Sequence, residues 1–388
     1  MSLGPRTDGK LALVALIKPF RALRYDEAVA GSLDQLVAPP YDVIPADTVS
    51  DMAAANDHNI VRLIRPQEPD LAAERLREWL AHGALVREEN AGVWRIAETF
   101  VGPDSVSRTR TGVVGRIALE EVGAGSVLRH ERTFDRPLET RLQLVRAVQT
   151  KLSPVLVLHN GEPPAPEDRD PDLHATLNDT TTSLWRIDEQ DAIAATLAKI
   201  VAPLVIADGH HRYAAALRHH QEQGTEETAH VLAVLISVAD PGLEIFAAHR
   251  VASEAPPDLR DPLTATKLES VSEAVAQLDT LERDHAAFVL VEPDGVSLVE
   301  APPAEDLLER LDVTAVNPLV AGDVKFIPSA NDAARAVTDG DAAAAFLVRA
   351  PTVAQVQGIA TSGLVMPQKS TYFYPKLTSG LLLSPLDE

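Results

Sequence analysis

The 388-residue chain contains no cysteine. That excludes a disulfide framework, a thiolate metal site and a cysteine nucleophile. Basic charge is scarce as well: 35 Lys and Arg stand against 57 Asp and Glu, and only eight of the 35 are lysine. A formal net charge of −22 repels polyphosphate backbones over most of the surface, which argues against nucleic acid as a partner. Long hydrophobic runs are missing too. None approaches the roughly 18 apolar residues of a membrane span, so no membrane association is expected. Residues 11–17 come nearest to an export signal. They are few, Asp8 precedes them where basic residues belong, and no small-residue cleavage site follows. A first β-strand and a cytoplasmic address are the expectation.

What the chain has is an irregular alternation of strand and helix patterns. Its length predicts two or three domains, drawn here as 1–120, 121–250 and 251–388. Continuous or alternating apolar runs predict strands over 11–17, 92–100, 110–119, 154–158, 203–207, 231–238 and 344–348. A hairpin is expected at 288–299, turning at Pro293-Asp294-Gly295. Helical spacing predicts helices over 71–80 (closed by Gly83), 140–152, 187–200, 210–223 and 353–358. Residues 37–42, with Pro39 and Pro40, read as a rigid loop. Residues 161–182, dense in Pro, Asp, Glu and Thr, read as an exposed connection. No repeat or heptad pattern is present. The class is mixed α/β, of the α+β kind.

The most informative stretch runs from Pro203 to Arg212. A buried strand ends in Asp208-Gly209, and a helix begins at once with His210, His211 and Arg212 in its first turn. The free N–H groups and macrodipole of a helix N-terminus attract an anion, and Gly209 lets a ligand approach the backbone closely. His210, His211 and Arg212 can donate to phosphate oxygens, and Asp208 could hold a magnesium ion or orient a histidine. Asp208 as a plain N-cap is the blander alternative, but it leaves three potentially cationic side chains opposing the dipole. His219 and His220, two turns on, are expected on a solvated face. Adjacent His210 and His211 do not share a helix face, so a zinc pair is a weak reading.

Two further stretches carry chemistry. His130 and Glu131 stand side by side ahead of a helix bearing Arg141, a pattern that could supply a base for a substrate hydroxyl with a cation near the transferred charge. Residues 366–376 hold two of the eight lysines, Lys369 and Lys376, and three aromatics, Tyr372, Phe373 and Tyr374. Lys369, Ser370 and Thr371 can bind phosphate or carboxylate, and the aromatics can wall an organic ligand. Packing of the tail onto the core is the competing account of this stretch. No P-loop glycine pattern precedes Ser370. The loop Pro39-Pro40-Tyr41-Asp42 is a fourth candidate.

These landmarks, in this order, resemble the prokaryotic family of domain of unknown function 1015. The matching segments are Lys18-Pro19-Phe20, residues 37–42, His130-Glu131 with Thr133 and Arg141, residues 207–212, His249-Arg250 and residues 366–376. A shorter likeness, over about residues 125–220, is to free-serine kinases of the ParB/sulfiredoxin-like superfamily. That resemblance implies a ParB/sulfiredoxin-like nucleotide-binding core with N- and C-terminal α/β elaborations. It also implies that Asp208, Gly209, His210, His211 and Arg212 hold the phosphates and metal of ATP or ADP, and that Glu131 takes the hydroxyl proton. The chain departs from the kinase pattern at Pro137 and Thr140, where a lysine and an aspartate are expected. Sulfiredoxin chemistry itself is excluded, because it needs a cysteine.

The expectation is therefore a nucleotide-dependent phosphotransferase using magnesium and acting on a small hydroxylated metabolite, free L-serine first. The alternatives are a nucleotide-binding switch and a nucleotide hydrolase or nuclease. The acidic surface suits a small-molecule enzyme best.

Overall fold

The computed structural model describes residues 16–121, 123, 125–259 and 261–387. Most of the strand expected at 11–17 lies outside the described residues. Its end is present: Ile17 and Lys18 pair antiparallel with Ile117 and Arg116. Among the described residues no helix is long and apolar enough to cross a membrane.

Two sheets organise the molecule, and the mixed α/β expectation holds. The larger has nine strands. Along it run Val127–Arg129, Leu204–Asp208, Val155–His159, His230–Ser237, Ser107–Ala118, Val93–Val101, Thr180–Ile187 and Leu173–Leu177, with Ile17–Lys18 attached to Ser107–Ala118. Two pairings are parallel, Val127–Arg129 with Leu204–Asp208 and Val155–His159 with His230–Ser237. His230–Ser237 is buried throughout, which is why it reads as an unbroken apolar run. Its residues alternate between two cores: Leu232, Val234 and Ile236 enter one, Val231, Ala233 and Leu235 the other. The helices Asp135–Val148 and His210–Gln223 pack on one another through Leu142, Val145 and Ala215.

The smaller sheet is six-stranded and wholly antiparallel, in the order Thr264–Leu268, Gly295–Glu300, Ala287–Glu292, Ala344–Val348, His249–Glu254, Ala321–Ile327. One face packs on Val271–Thr280 and Ala330–Thr338 through Val289, Leu278 and Val337. The other sends Phe288, Leu290 and Phe346 into the main core. The tail then laces back across the molecule. Tyr372–Tyr374 pairs with Glu244–Phe246, Ser384–Pro385 pairs with Thr150–Lys151, and Ser379 and Leu383 bridge to Ala38 and Leu23.

Several expectations need correction. Residues 161–182 are not simply an exposed connection: Leu173–Leu177 and the start of Thr180–Ile187 extend the large sheet at its edge. Leu173 and Ala175 turn inward while His174 and Thr176 face water, so half of each strand has loop-like composition. For the same reason the helix expected at 187 starts at Gln190. The helix expected at 140–152 runs Asp135–Val148, ended by Gln149 at φ 47°, because Thr150–Lys151 is already strand. His219 is buried rather than solvated: it falls on the same helix face as Ala215 and Ala216.

Candidate functional site

Strand Leu204–Asp208 delivers Asp208 to the end of the sheet, and Gly209 turns the chain into helix His210–Gln223. Gly209 has φ +90°, a conformation that favours glycine, and a Cβ there would lie 2.9 Å from the Arg212 guanidinium. Among the described residues no side chain caps this helix, which leaves N–H groups of its first turn open to a ligand.

The first turn is far less cationic than its composition suggests. Burial pushes the His210 ring well below the ordinary histidine range, with His130 next to it adding to the effect. The ring packs edge-on against His130, Nδ1 lies 3.6 Å from Glu131 Oε2, and among the described residues Nε2 has no hydrogen-bond partner. Burial lowers His211 as well, and its Nε2 accepts from the Phe134 N–H at 3.0 Å. Neutral rings remove most of the conflict with the helix dipole.

Arg212 is the cation that remains, and it is spoken for. Its Nη2 donates to Asp208 Oδ2 at 2.6 Å, and Nη1 donates to the Pro154 carbonyl. Lys376 Nζ donates to Asp208 Oδ1 at 2.5 Å. Burial alone would raise the Asp208 carboxyl, but Lys376 and Arg212 outweigh it and hold the group well below the usual carboxylate range. Lys376 is reciprocally raised: burial lowers it, and Asp208 more than compensates. Each Asp208 carboxylate oxygen therefore already accepts from one cation. Among the described residues no group of three or more His, Asp or Glu is placed to hold a metal ion.

His130 is buried and does not line the cleft described below. Its Nδ1 meets the Ile206 carbonyl at 2.9 Å, which leaves Nε2 to accept from the Thr371 hydroxyl at 3.1 Å. Burial pushes its ring down to about 4, so it stays neutral. The Met366 N–H also donates to the His130 carbonyl, tying the tail motif to this loop. Arg250, fully buried, donates to the Lys369 carbonyl at 3.1 Å, and Lys369 sits at φ 57°. Glu131 is partly buried. Burial raises its carboxyl above the ordinary value, Asp208 adds to that, and Lys369 and Lys376 oppose it.

All these elements border one cleft of about 460 Å³, within the range of small-molecule sites. Asp208 to Arg212, Glu131, Lys369 and Thr371 line it, as do Tyr41 and Asp42 of the proline loop. Three predicted site residues do not. His130 lies below. Ser370 is buried and donates to the Pro367 carbonyl at 2.6 Å. Arg141 is screened from the cleft by Tyr41, whose ring it covers at 4.0 Å, and it donates to the Ile64 carbonyl. Lys376 stood out in the sequence by its rarity but without an assigned role. Phe326, at the end of a strand of the smaller sheet, gave no signal. Phe326 and Phe134 both line the cleft while 44 % exposed, an unusual position for large apolar rings.

Residues 17–314 match the family model described as protein of unknown function, DUF1015. The chain belongs to the DUF1015 family. The match covers His130, Glu131, Arg141 and residues 208–212, while the lysine-bearing segment 366–376 of this DUF1015 protein lies beyond it. No curated protein matches the sequence. Solved structures similar to the DUF1015 chain include a point mutant of a free serine kinase in complex with AMP, at 17% identity and TM-score 0.38, covering 67% of this chain and 91% of that one. Another mutant of a free serine kinase, in complex with ADP, has 17% identity and TM-score 0.37, covering 65% and 85%. A conserved hypothetical protein from Pyrococcus furiosus has 17% identity and TM-score 0.34, covering 66% and 93%.

Proposed function

We propose that this cleft binds ATP or ADP and transfers a phosphoryl group to the hydroxyl of a small metabolite, free L-serine being the first candidate. The observation that carries this reading is convergence. An uncapped helix N-terminus, two of the eight lysines and a carboxyl of raised pKa meet in one cleft, although the sequence separates them by some 240 residues. The reading brings with it a ParB/sulfiredoxin-like core around the strand–Gly209–helix unit.

The phosphates lie against the N–H groups of the first turn and Lys369, while Arg212 and Lys376 supply charge from behind. Glu131 accepts the acceptor's hydroxyl proton as the new oxygen–phosphorus bond forms and the bond to the departing nucleotide oxygen breaks. Asp208 would be the carboxylate to meet a magnesium ion carried on the phosphates, where the ion would supply charge neutralisation. Phe134, Phe326 and Tyr372 offer apolar surface to the flat parts of the donor.

The test is a mass-spectrometric screen of the protein with magnesium and ATP or ADP against L-serine and a pool of hydroxylated metabolites. Lys369→Ala, an exposed position, and Glu131→Gln run beside it. A phosphorylated product that disappears in both variants establishes the reading. Nucleotide consumption without such a product turns it to a hydrolase or a switch. If neither nucleotide binds, the phosphate role of residues 208–212 is lost.

A further inference from the structure

Behind the cleft lies a second, smaller cavity of about 60 Å³ that the mechanism does not use. Tyr41 and Arg212 line both spaces. The small cavity is walled mainly by apolar side chains, among them Leu144, Val148, Leu152 and Ala216. Its charged lining is Arg141, Lys151 and Arg212, and no carboxylate borders it. Three cations around one apolar cavity are out of keeping with a chain of net charge −22.

Two of the three lack the partners that burial demands. Lys151 is 6% exposed, and among the described residues its Nζ has no hydrogen-bond partner. Arg141 donates through Nη1 to the Ile64 carbonyl, but among the described residues its buried Nε has no partner. Arg212 is satisfied by Asp208 and Pro154. A buried ammonium without a counter-ion is costly, and the usual remedies are an ion pair or loss of the proton. Burial does push Lys151 down to about 7, so near neutral pH both states are within reach and a bound anion would select the charged one.

We propose that this cavity is an anion site that takes a carboxylate between Lys151 and Arg141. Size admits this ligand. About 60 Å³ exceeds the roughly 10–15 Å³ that one water needs, so a three-atom carboxylate fits. Thr150 and Ser153 also border the space and add polar groups at its edge. The carboxylate comes either from a free small anion or from an acceptor whose body lies in the cleft, reaching past the shared wall of Tyr41 and Arg212. The second source rests on the phosphotransferase reading. The first stands without it.

The test titrates the full chain with 13C-formate in the absence of nucleotide, with sodium chloride holding ionic strength. Saturable broadening of the formate resonance, weakened at least tenfold in Lys151→Met, is the expected result. Circular dichroism checks that the variant is folded, and Arg141→Met serves as the second variant should Lys151→Met fail that check. No saturable broadening, or equal broadening in wild type and folded variant, overturns the proposal. L-Serine added to formate-loaded protein separates the sources: displacement of formate assigns the site to the acceptor's carboxylate, persistence to a free anion, and both support a carboxylate site. Nucleotide binding is measured separately on the same wild-type protein, so failure of the phosphotransferase reading stays distinguishable from failure of this one.

Discussion

Asp208 holds two cations at once, and its removal is expected to cost more than the loss of one ion pair. Asp208→Asn leaves Lys376 and Arg212 buried together without a counter-charge, a change that typically destabilises by about 3–5 kcal/mol. Chemical denaturation checks it. The same group fixes a direction with pH. Because its folded carboxyl is held well below the ordinary value of 3.8, its contribution is complete above that value and is lost as pH falls further into acid. Glu131 is shifted the opposite way. As a base it must be ionised, so transfer is expected to rise with pH through a value above the ordinary 4.5. Glu131→Gln should lower turnover by roughly 10²–10⁴-fold and abolish that rising limb, with nucleotide affinity retained, as a kcat/KM profile would show. Both carboxylates were picked out from sequence for residue type and neighbours. The pairing of Asp208 with Lys376 was not, because the two lie 168 residues apart.

The strand–Gly209–helix unit is the part of the site that local rules describe best. An apolar run, an Asp-Gly break and a helical pattern each demand their own backbone, and residues 204–223 adopt all three. Gly209→Ala tests this unit. A left-handed φ costs a residue with a Cβ about 1–2 kcal/mol, and the new methyl would push on the Arg212 guanidinium. Lower stability together with weaker nucleotide binding is expected, read by denaturation and calorimetry. Local rules failed at Leu173–Leu177 and Thr180–Ile187. Leu173–Leu177 forms the sheet edge with His174 and Thr176 in water, and the first half of Thr180–Ile187 is Thr and Ser, so neither stretch carries an apolar run. They failed again at His219, where a polar side chain occupies a buried helix position.

At the scale of the whole molecule the cleft is a shared property of distant parts. Phe326 comes from the smaller sheet, residues 208–212 from the end of a strand of the larger and the helix after it, Tyr41 and Asp42 from the proline loop, and Lys369, Thr371, Tyr372 and Lys376 from the tail. A chain cut after residue 365 would lose Lys369, Thr371 and Lys376. It would also lose the pairings of Tyr372–Tyr374 with Glu244–Phe246 and of Ser384–Pro385 with Thr150–Lys151. Such a chain is expected to lose nucleotide binding and to unfold with a broader, lower transition, which a thermal melt with and without ATP would show. In the intact chain ATP at 100 times its Kd should add about 2.7 kcal/mol of stability.

The amino-acid sequence on its own determined the fold class, the main strands and helices, and the helix N-terminus at Gly209. It also removed thiol chemistry and made each lysine conspicuous. These are consequences of composition and of short-range periodicity, which follow from backbone geometry within a few residues. Tertiary structure alone decided that His210 and His211 are held neutral by burial, that Asp208 is filled by Arg212 and Lys376, and that Arg141 stands behind Tyr41 with Lys151. Protonation, pairing and access depend on what surrounds a side chain, and those neighbours come from positions far along the chain.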